Sequence, residues 1–312
     1  MIQKILITGG LGNLGSWLTD YFCRQTNLEV YVLASRKRPI LQELDYTFIQ
    51  CDIADREDVE EKLSPYQFDY VVHTASVNDF FKENFARDAL IVNALGTRNL
   101  LDFFSKRELK NFIYFSTFQV YGRRDGLITE DTPAEPKNDY GTTHLFAEYY
   151  IKQFHANFRM PYTIFRLTNS YGCPKDEESS KWYLVLNDLS RMAVEQQEIV
   201  LKSNGQATRD FIWMGDVCKI VHEAIQRPAP NGVFNIASEE TFTMLYIAEQ
   251  VQQAYEEMYG NKLPININQE DKTEHPQDLK VSAKKLRACY EFDLHLRFKE
   301  EAQAIFRMLM KS

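Results

Sequence analysis

The chain is poor in cysteine, and the five cysteines that it has lie far apart in sequence. No two of them form a C-x-x-C pair, which argues against a zinc knuckle or a dithiol redox motif, and we expect no metal site. An odd and sparse set of cysteines is typical of free thiols in a reducing compartment.

Long hydrophobic runs are also missing. No apolar stretch approaches the ~18 residues that a membrane-spanning helix requires. The first residues, MIQKILITGG, lack the charged region, hydrophobic core and cleavage site of a secretory signal. We therefore expect a soluble, cytoplasmic protein with no membrane partner.

Positive charge is in deficit, because 36 basic side chains face 44 acidic ones and leave a net charge of −8. This balance argues against a broad nucleic-acid-binding face, so we expect no nucleic-acid partner. It does not exclude a small anion, since a single pocket can still be basic. A hydrophobic content of 44% over 312 residues is typical of one large α/β domain, alone or with a smaller partner.

The first half of the chain alternates short apolar runs with longer amphipathic stretches. Strands are predicted at 2–8, 29–34, 46–50, 69–73, 111–116 and 162–167, with helices at 13–26, 55–63, 85–106 and 140–158. Strands separated by helices require crossover connections, which predict an α/β fold with a doubly wound parallel sheet. We assign residues 1–170 to this sheet domain, with 206–237 returning to it. A smaller C-terminal lobe then comprises 171–205 and 238–312.

A glycine-rich turn, TGGLGNLG at residues 8–15, directly follows the first strand and opens the first helix. Gly9 permits a tight turn, Gly12 lets the backbone approach a pyrophosphate, and Gly15 lets helix and strand pack closely. The amino end of the helix, at Asn13 and Leu14, offers N–H groups and a positive dipole to phosphates. An ordinary turn is the alternative, but the strand–turn–helix context favours dinucleotide binding.

The end of the second strand indicates which dinucleotide. An acidic side chain there would bind a ribose 2′-hydroxyl, but the sequence has Ala34-Ser35-Arg36-Lys37-Arg38. Three cations, Arg36, Lys37 and Arg38, can reach a 2′-phosphate, with Arg36 best placed for a bidentate contact, and Ser35 is assigned to the same cofactor site. This favours NADP over NAD, although a solvated basic turn is the alternative.

Asp52 and Ile53 follow the third strand. Asp52 can accept a hydrogen bond from an adenine amino group. It can also cap the helix over 55–63, although Asp55 is better placed for that role.

Taken in order, the motifs resemble those of the extended short-chain dehydrogenase/reductases, which include nucleotide-sugar epimerases, dehydratases and reductases. They are the glycine turn, Asp52-Ile53, VHTA at 72–75, NALGT at 93–97, STFQVYG at 116–122, Tyr140-Gly141, RLTNSYG at 166–172, GQATRDFIWMGD at 205–216, GVFNIA at 232–237 and HPQD at 275–278. The resemblance covers nearly the whole chain. It implies a Rossmann-type sheet domain, a substrate-binding C-terminal lobe, and cofactor contacts from Thr74, Ala75, Ser76 and Asn93.

The resemblance also implies a catalytic set. Tyr140 takes the position of the family's general acid/base, and Thr117 takes that of the hydroxyl residue that binds the same substrate oxygen. The family has a lysine four residues after the tyrosine, which holds the nicotinamide ribose and lowers the phenol pKa. His144 stands there instead, on the same helix face.

His144 leaves three possibilities open. A protonated imidazole near cofactor phosphate would restore part of the lysine's role. A neutral one would leave Tyr140 as a neutral proton donor, which suits carbonyl reduction better than alcohol oxidation. The third possibility is a protein that kept the fold and the cofactor site but lost catalysis.

Phe118 and Gln119 stand where the family's sugar dehydratases have an Asp–Glu pair. Neither side chain shuttles a proton at neutral pH, which argues strongly against dehydration. We therefore predict an NADP-dependent oxidoreductase that reduces a 4-keto nucleotide sugar. The alternatives are a nucleotide-sugar epimerase and a non-catalytic cofactor-binding homologue.

Substrate contacts are implied for Asn169, which matches the family's sugar-facing asparagine, and for Arg209, which matches an arginine that meets the diphosphate. His275 falls where arginine is commoner. Asn78, with Phe80 and Phe81, follows the fourth strand at the edge where open α/β sheets bind ligands. Other residues that line either a sugar pocket or a helix core are Lys181, Trp182 and Tyr183.

The helical stretches 85–106 and 140–158 carry more apolar surface than one sheet face readily covers. Their large apolar residues include Leu90, Leu101, Phe103, Phe104, Phe146, Tyr149, Tyr150 and Phe154. The corresponding helices pair across a two-fold axis in the family, so we expect a homodimer.

Overall fold

The computed structural model describes residues 2–25, 27–78, 83–176, 181–227 and 230–310. Its strands are β1 (Gln3–Thr8), β2 (Leu28–Ala34), β3 (Thr47–Gln50), β4 (Tyr70–His73), β5 (Asn111–Thr117), β6 (Leu127–Ile128), β7 (Tyr162–Leu167), β8 (Asn169–Tyr171), β9 (Ile199–Leu201), β10 (Thr208–Trp213), β11 (Gly232–Ile236), β12 (Thr241–Thr243), β13 (Ile265–Ile267) and β14 (Lys280–Val281).

The helices alternate with these strands through most of the chain. They are α1 (Asn13–Cys23), α2 (Arg56–Leu63), α3 (Phe85–Ala89), α4 (Thr97–Phe104), α5 (Asp139–Phe158), α6 (Val185–Glu195), α7 (Met214–Gln226), α8 (Met244–Tyr259), α9 (Lys284–Arg287) and α10 (Phe298–Leu309). A π-helical segment (Leu90–Gly96) joins α3 to α4, and a 3₁₀ turn (Phe118–Tyr121) follows β5. None of these helices combines the length and apolarity that a bilayer crossing needs.

The main sheet confirms the predicted doubly wound parallel architecture. Its seven strands lie in the order β11-β7-β5-β4-β1-β2-β3, and every neighbouring pair is parallel. All residues of β4 and β5 are buried, as expected for strands covered by helices on both faces. The strand order reverses between β1 and β4, so a ligand crevice is expected at the carboxyl ends of these two strands.

Each face of the sheet has its own core, because successive side chains of a strand point to opposite faces. Ile5 and Ile7 of β1 pack in the core beneath α1 and α7. Leu6, between them, packs in the other core with residues of α2, α4 and α5. The amphipathic helices thus cover both faces of the sheet.

The stretch 85–106, which the sequence predicts as one helix, contains the π-helical segment in its middle. Asn93 lies in this segment, and its amide oxygen accepts a hydrogen bond from Val77 N at 2.7 Å. Its amide nitrogen donates to Val77 O and to Thr143 Oγ1, both at 3.1 Å. Asn93 therefore ties the loop after β4 to helix α5.

Helix α5 is further held to the sheet by a buried ion pair. Glu148 is fully buried and receives hydrogen bonds from Ser116 Oγ at 2.6 Å and from Arg166 Nη2 at 2.7 Å. Ser116 lies on β5 and Arg166 on β7. The carboxylate thus joins α5 to two neighbouring strands, and this fixes the middle of the helix relative to the sheet.

A third core forms the C-terminal lobe. Helices α6, α8 and α10 pack on one another around a cluster that includes Ile247 and Phe306. Small sheets with the orders β12-β10-β8 and β13-β9 lie beside them. The segment 206–237 was expected to return to the main domain. Two of its elements do so, since β11 pairs with β7 and α7 packs on α1. Strand β10 instead belongs to the small sheet β12-β10-β8. Helix α9, in turn, packs against β11.

Candidate active site

A cavity of about 600 Å³ opens at the carboxyl ends of the central strands, between the sheet and the C-terminal lobe. It brings together most of the residues that the sequence singles out. Those that line it are Gly9, Gly12, Asn13, Leu14, Gly15, Arg36, Arg38, Thr74, Ser76, Asn78, Thr117, Tyr140, His144, Asn169 and Arg209. Phe80 and Phe81 lie outside the described residues.

The charge of this cavity is one-sided. Its described lining includes the cationic side chains of Arg36, Arg38, Lys181 and Arg209 and no Asp or Glu. The chain as a whole carries a net charge of −8, so this distribution is opposite to the average of the protein. Cationic side chains without carboxylates suit an anionic ligand such as a phosphate ester.

The glycine turn leaves backbone exposed at one end of the cavity. Gly9 has φ = +67°, which side-chain-bearing residues rarely adopt, and a Cβ on Gly15 would lie only 2.0 Å from the carbonyl oxygen of Gly9. Helix α1 then begins without a side-chain cap and without an acidic residue in its first turn. Its first N–H groups therefore suit the phosphates of a dinucleotide.

Tyr140 lies in the first turn of α5, where Asn138 caps the helix by accepting a hydrogen bond from Gly141 N at 2.8 Å. Thr117, at the end of β5, lines the same cavity as Tyr140. Burial, together with the neighbouring Tyr183, raises the pKa of the Tyr140 phenol well above its usual range. The phenol therefore carries its proton at neutral pH.

His144 lies one turn further along α5, with its ring centroid 4.4 Å from that of Tyr140. The side chain is only 2% exposed, and burial lowers the pKa of the imidazole to about 3. Its Nδ1 is 2.6 Å from the Tyr114 hydroxyl, whereas its buried Nε2 has no hydrogen-bond partner within the described structure. The residue in the lysine position is thus a neutral imidazole with one unused ring nitrogen.

Arg36 and Arg38 differ in their surroundings. Arg36 is exposed at the edge of the cavity. Arg38 donates to the Leu11 carbonyl oxygen in the glycine turn at 2.7 Å and forms a tight ion pair with Asp176, which follows β8. Asp176 is 138 residues away from Arg38 in the sequence. The fold thus brings a carboxylate to the predicted 2′-phosphate site.

Several predicted cofactor residues lie behind the cavity wall rather than in it. Ile53 is buried in the core beneath α2 and α4, and both amide groups of Asn93 are used within the protein. Ala75 backs the glycine turn, since a Cβ on Gly9 would come within 2.7 Å of its backbone. The contacts that the structure describes for these three residues lie within the protein, and their cofactor contacts stay a prediction.

Ser35, Asp52 and His275 are also absent from the described lining. Ser35 is exposed after β2. The Asp52 carboxylate accepts from Ala54 N at 3.0 Å in the turn before α2, while Asp55 caps that helix as the sequence suggests. His275 is half-buried in the loop before β14, and its Nε2 has no hydrogen-bond partner within the described structure.

One feature of the site, the contact between Tyr114 and His144, was missed by sequence reasoning. Tyr114, the partner of His144, is indistinguishable in sequence from the other apolar residues of β5, and only the approach of α5 reveals its role. Lys181 is buried and donates to the side-chain oxygens of Asn78 and Tyr183. Lys181 and Tyr183 line the cavity, whereas Trp182 packs against the core of the C-terminal lobe.

Comparison with known proteins places this site in a family context. Residues 5–237 match the model of the NAD dependent epimerase/dehydratase family. The chain is 27% identical over 278 residues to dTDP-D-glucose 4,6-dehydratase of Dictyostelium discoideum, a match that covers 80% of this chain and 62% of that protein. It is 30% identical over 223 residues to a putative UDP-glucose 4-epimerase of Methanocaldococcus jannaschii, which covers 69% of this chain and 71% of that protein.

The fold is also shared with solved structures. The crystal structure of UDP-glucuronic acid 4-epimerase from Bacillus cereus in complex with NAD superposes with a TM-score of 0.83 at 23% sequence identity. The alignment covers 99% of this chain and 97% of that one. The Rossmann-type sheet and the C-terminal lobe therefore occur together in that protein as well.

Proposed function

Because the chain belongs to the NAD dependent epimerase/dehydratase family, we propose that it reduces a 4-keto nucleotide sugar with NADPH. The observation that carries this proposal is the cavity itself. It has a glycine turn at one end, a protonated tyrosine in its wall, and cationic side chains with no carboxylate among its described lining. A dinucleotide and a nucleotide sugar are both anionic and both need such a site.

The residues present fit a nicotinamide dinucleotide. The tight approach of Gly15 to Gly9 and the uncapped start of α1 leave room for a pyrophosphate beside backbone N–H groups. At the other end, the unpartnered Nε2 of His144 suits a hydroxyl of the nicotinamide ribose. When bound, the reduced cofactor supplies the hydride for the reaction.

The chain's own residues supply the proton and the orientation. Tyr140 donates the phenol proton to the carbonyl oxygen of the substrate as that oxygen gains negative charge. Thr117 binds the same oxygen and aligns it with Tyr140. Arg209 and Lys181 hold the phosphates and sugar of the substrate on the side of the C-terminal lobe.

The state of His144 favours reduction over the initial oxidation that an epimerase performs. An oxidation needs Tyr140 as a phenolate base, and a neutral imidazole does little to stabilise that anion. Dehydration is disfavoured as well, because Phe118 and Gln119 line the cavity and neither carries a proton shuttle. Epimerisation is the second candidate, favoured by the putative UDP-glucose 4-epimerase among the relatives.

The test is an absorbance assay with NADPH and a panel of 4-keto nucleotide sugars, with NADH in parallel. Loss of the NADPH signal with one member of the panel supports the reductase and identifies the sugar. A flat trace together with a changed isomer of a 4-hydroxy nucleotide sugar supports the epimerase instead. Dinucleotide binding with neither reaction would indicate a non-catalytic homologue.

The preference for NADP rests on Arg36 and Arg38, but Asp176 opposes it. In the ion pair with Asp176, Arg38 is withheld from a 2′-phosphate, and the carboxylate adds a repulsive charge. We expect Asp176→Asn to raise affinity for NADPH several-fold relative to NADH. The measurement is the dissociation constant of each cofactor, from the fluorescence of the reduced nicotinamide.

The matched control is Asp20→Asn. Asp20 pairs with Lys175 at 2.8 Å, so its loss releases the same segment from α1 but leaves the Arg38–Asp176 pair intact. The NADPH-to-NADH affinity ratio of this variant should equal that of the wild type. Equal changes in the two variants would show that the NADPH-to-NADH affinity ratio depends on release of the segment around Lys175 and Asp176, and not on the charge of Asp176.

We also propose that the protein is a homodimer formed through α5 and the π-helical segment. These two elements pack together, and they expose Leu90, Leu95, Phe146 and Tyr149. Large apolar side chains exposed on two elements that pack together are typical of an association surface. The other predicted members, including Leu101, Phe103, Phe104 and Phe154, are buried in the core of the chain itself.

Phe146→Glu should convert the dimer to a monomer, because two buried carboxylates would face each other across a two-fold axis. Light scattering after size exclusion distinguishes the chain mass of 36.5 kDa from twice that value. Leu296→Glu is the control, since Leu296 is exposed but lies outside these helices. A wild-type protein that elutes as a monomer would contradict the proposal.

A further inference from the structure

We propose that Tyr114 is a positioning residue that holds His144 in the Nε2–H tautomer, which leaves a neutral N–H donor on a residue of the cavity wall. The donor then occupies the place where the family resemblance predicts a lysine ammonium. This inference rests on the proposed cofactor site for the identity of the acceptor, a cofactor hydroxyl oxygen. The tautomer itself follows from contacts within the chain.

The first step is the pair of atoms. The Tyr114 hydroxyl lies 2.6 Å from His144 Nδ1, and both side chains are almost completely buried. Burial raises the pKa of the Tyr114 hydroxyl well above its usual range. The hydroxyl therefore keeps its proton and has one hydrogen to donate.

The second step is a count of donors and acceptors. If Tyr114 donates to Nδ1, then Nε2 carries the imidazole proton, and of the donors of these two side chains only Nε2–H lacks a partner among the described residues. If instead Nδ1–H donated to Tyr114, the phenol hydrogen would also need an acceptor, and Tyr114 has no second partner among the described residues. The first arrangement leaves fewer buried groups unsatisfied, so it is the stable one.

The third step concerns His73, the other histidine whose ring lies next to that of Tyr114. The ring of His73 lies 5.4 Å from that of Tyr114, but its nitrogens are already used. Thr8 Oγ1 is 2.6 Å from His73 Nδ1, and Thr97 Oγ1 is 2.8 Å from His73 Nε2. Since Thr97 donates its own hydrogen to Asn93 O, it accepts from His73. His73 therefore leaves the Tyr114 hydroxyl to His144.

The consequence is a fixed polarity at the cavity wall. His144 lines the cavity beside Tyr140, and its free N–H accommodates an acceptor oxygen but not a donor or a cation. A freely exchanging imidazole would present N–H and bare nitrogen in turn. Tyr114 makes one of these states permanent, and this prepares the site for a ligand hydroxyl before any ligand binds.

The experiment is nitrogen-15 NMR of the full-length protein labelled at histidine, with His144 assigned by its absence in His144→Gln. We expect the wild type to show a protonated Nε2 and an unprotonated Nδ1. In Tyr114→Phe the two tautomers should mix, and the dissociation constant for NADPH should rise several-fold. Tyr121→Phe is the matched control, because it removes another buried hydroxyl, bonded to Asn235 at 2.7 Å, without touching His144.

A wild-type His144 protonated at Nδ1 would overturn the inference, even if Tyr114→Phe failed to fold. So would a Tyr114→Phe variant in which both the tautomer and the NADPH affinity match the wild type. These outcomes are separate from failure of the proposed function. A wild type that bound no dinucleotide would refute the cofactor site, while the NMR spectra would still decide the role of Tyr114.

Discussion

Tyr140→Phe should reduce turnover by about 10²- to 10⁴-fold, the usual contribution of a positioned general acid. The substitution removes the hydroxyl of the proposed proton donor and keeps the ring against His144. Because Tyr140 is not proposed to bind the dinucleotide phosphates, the dissociation constant for NADPH should change by no more than a few fold. Single-turnover kinetics and a fluorescence titration measure the two quantities.

Tyr121→Phe is again a suitable control, since its hydroxyl is buried next to the same strand end but lies on the Asn235 side. It should lower stability without a comparable loss of turnover. An active Tyr140→Phe enzyme would show that the proton comes from elsewhere and would refute the catalytic assignment. An equal loss in both variants would indicate a packing defect.

His144→Lys should move the pH profile toward higher activity at lower pH. A lysine ammonium close to Tyr140 would lower the phenol pKa by about 1 to 3 pH units, whereas the neutral imidazole of the wild type leaves it high. In reduction, the rate falls once the Tyr140 phenol loses its proton, and this fall begins at lower pH in the lysine variant. At pH values below the lowered phenol pKa, Tyr140 of the variant is a stronger acid than that of the wild type and donates its proton more readily. In the reverse oxidation, the phenolate base forms at lower pH.

The effect is measured as kcat against pH from about pH 6 to 10, in both directions of the reaction. His144→Gln separates charge from shape, because its amide is a neutral donor, and its profile should keep the wild-type position. If the lysine and glutamine variants had the same profile as the wild type, His144 would not govern the Tyr140 phenol.

Much of the sheet domain was predictable from sequence, for physical reasons. Strands that are buried on both faces read as continuous apolar runs, as in Ile5, Leu6 and Ile7, and these are hard to mistake for loops. The glycine turn was predictable too, because Gly9 and Gly15 occupy positions where a side chain would clash. Helix α2, which the sequence predicts over 55–63, forms at Arg56–Leu63.

Contacts between distant segments were not predictable in the same way. Arg38 looked free in the sequence, because the carboxylate that pairs with it, Asp176, comes from a loop beyond β8. The partners of Asn93 were not predictable either, because the π-helical segment brings its amide to Val77 and Thr143. Tyr114 gave no signal, since a tyrosine among apolar strand residues is typical of a core.

The division of the cavity between two cores has an evolutionary consequence. Thr117, Tyr140 and His144 are carried by the sheet and by α5, which Glu148 ties to β5 and β7. Lys181 and Arg209 belong to the side of the lobe built on α6, α8 and α10. On the proposed function, mutations that repack the lobe can change which sugar is accepted while Thr117, Tyr140 and His144 keep their places. Such a chain can acquire new substrates by drift in one half alone, without passing through an inactive intermediate.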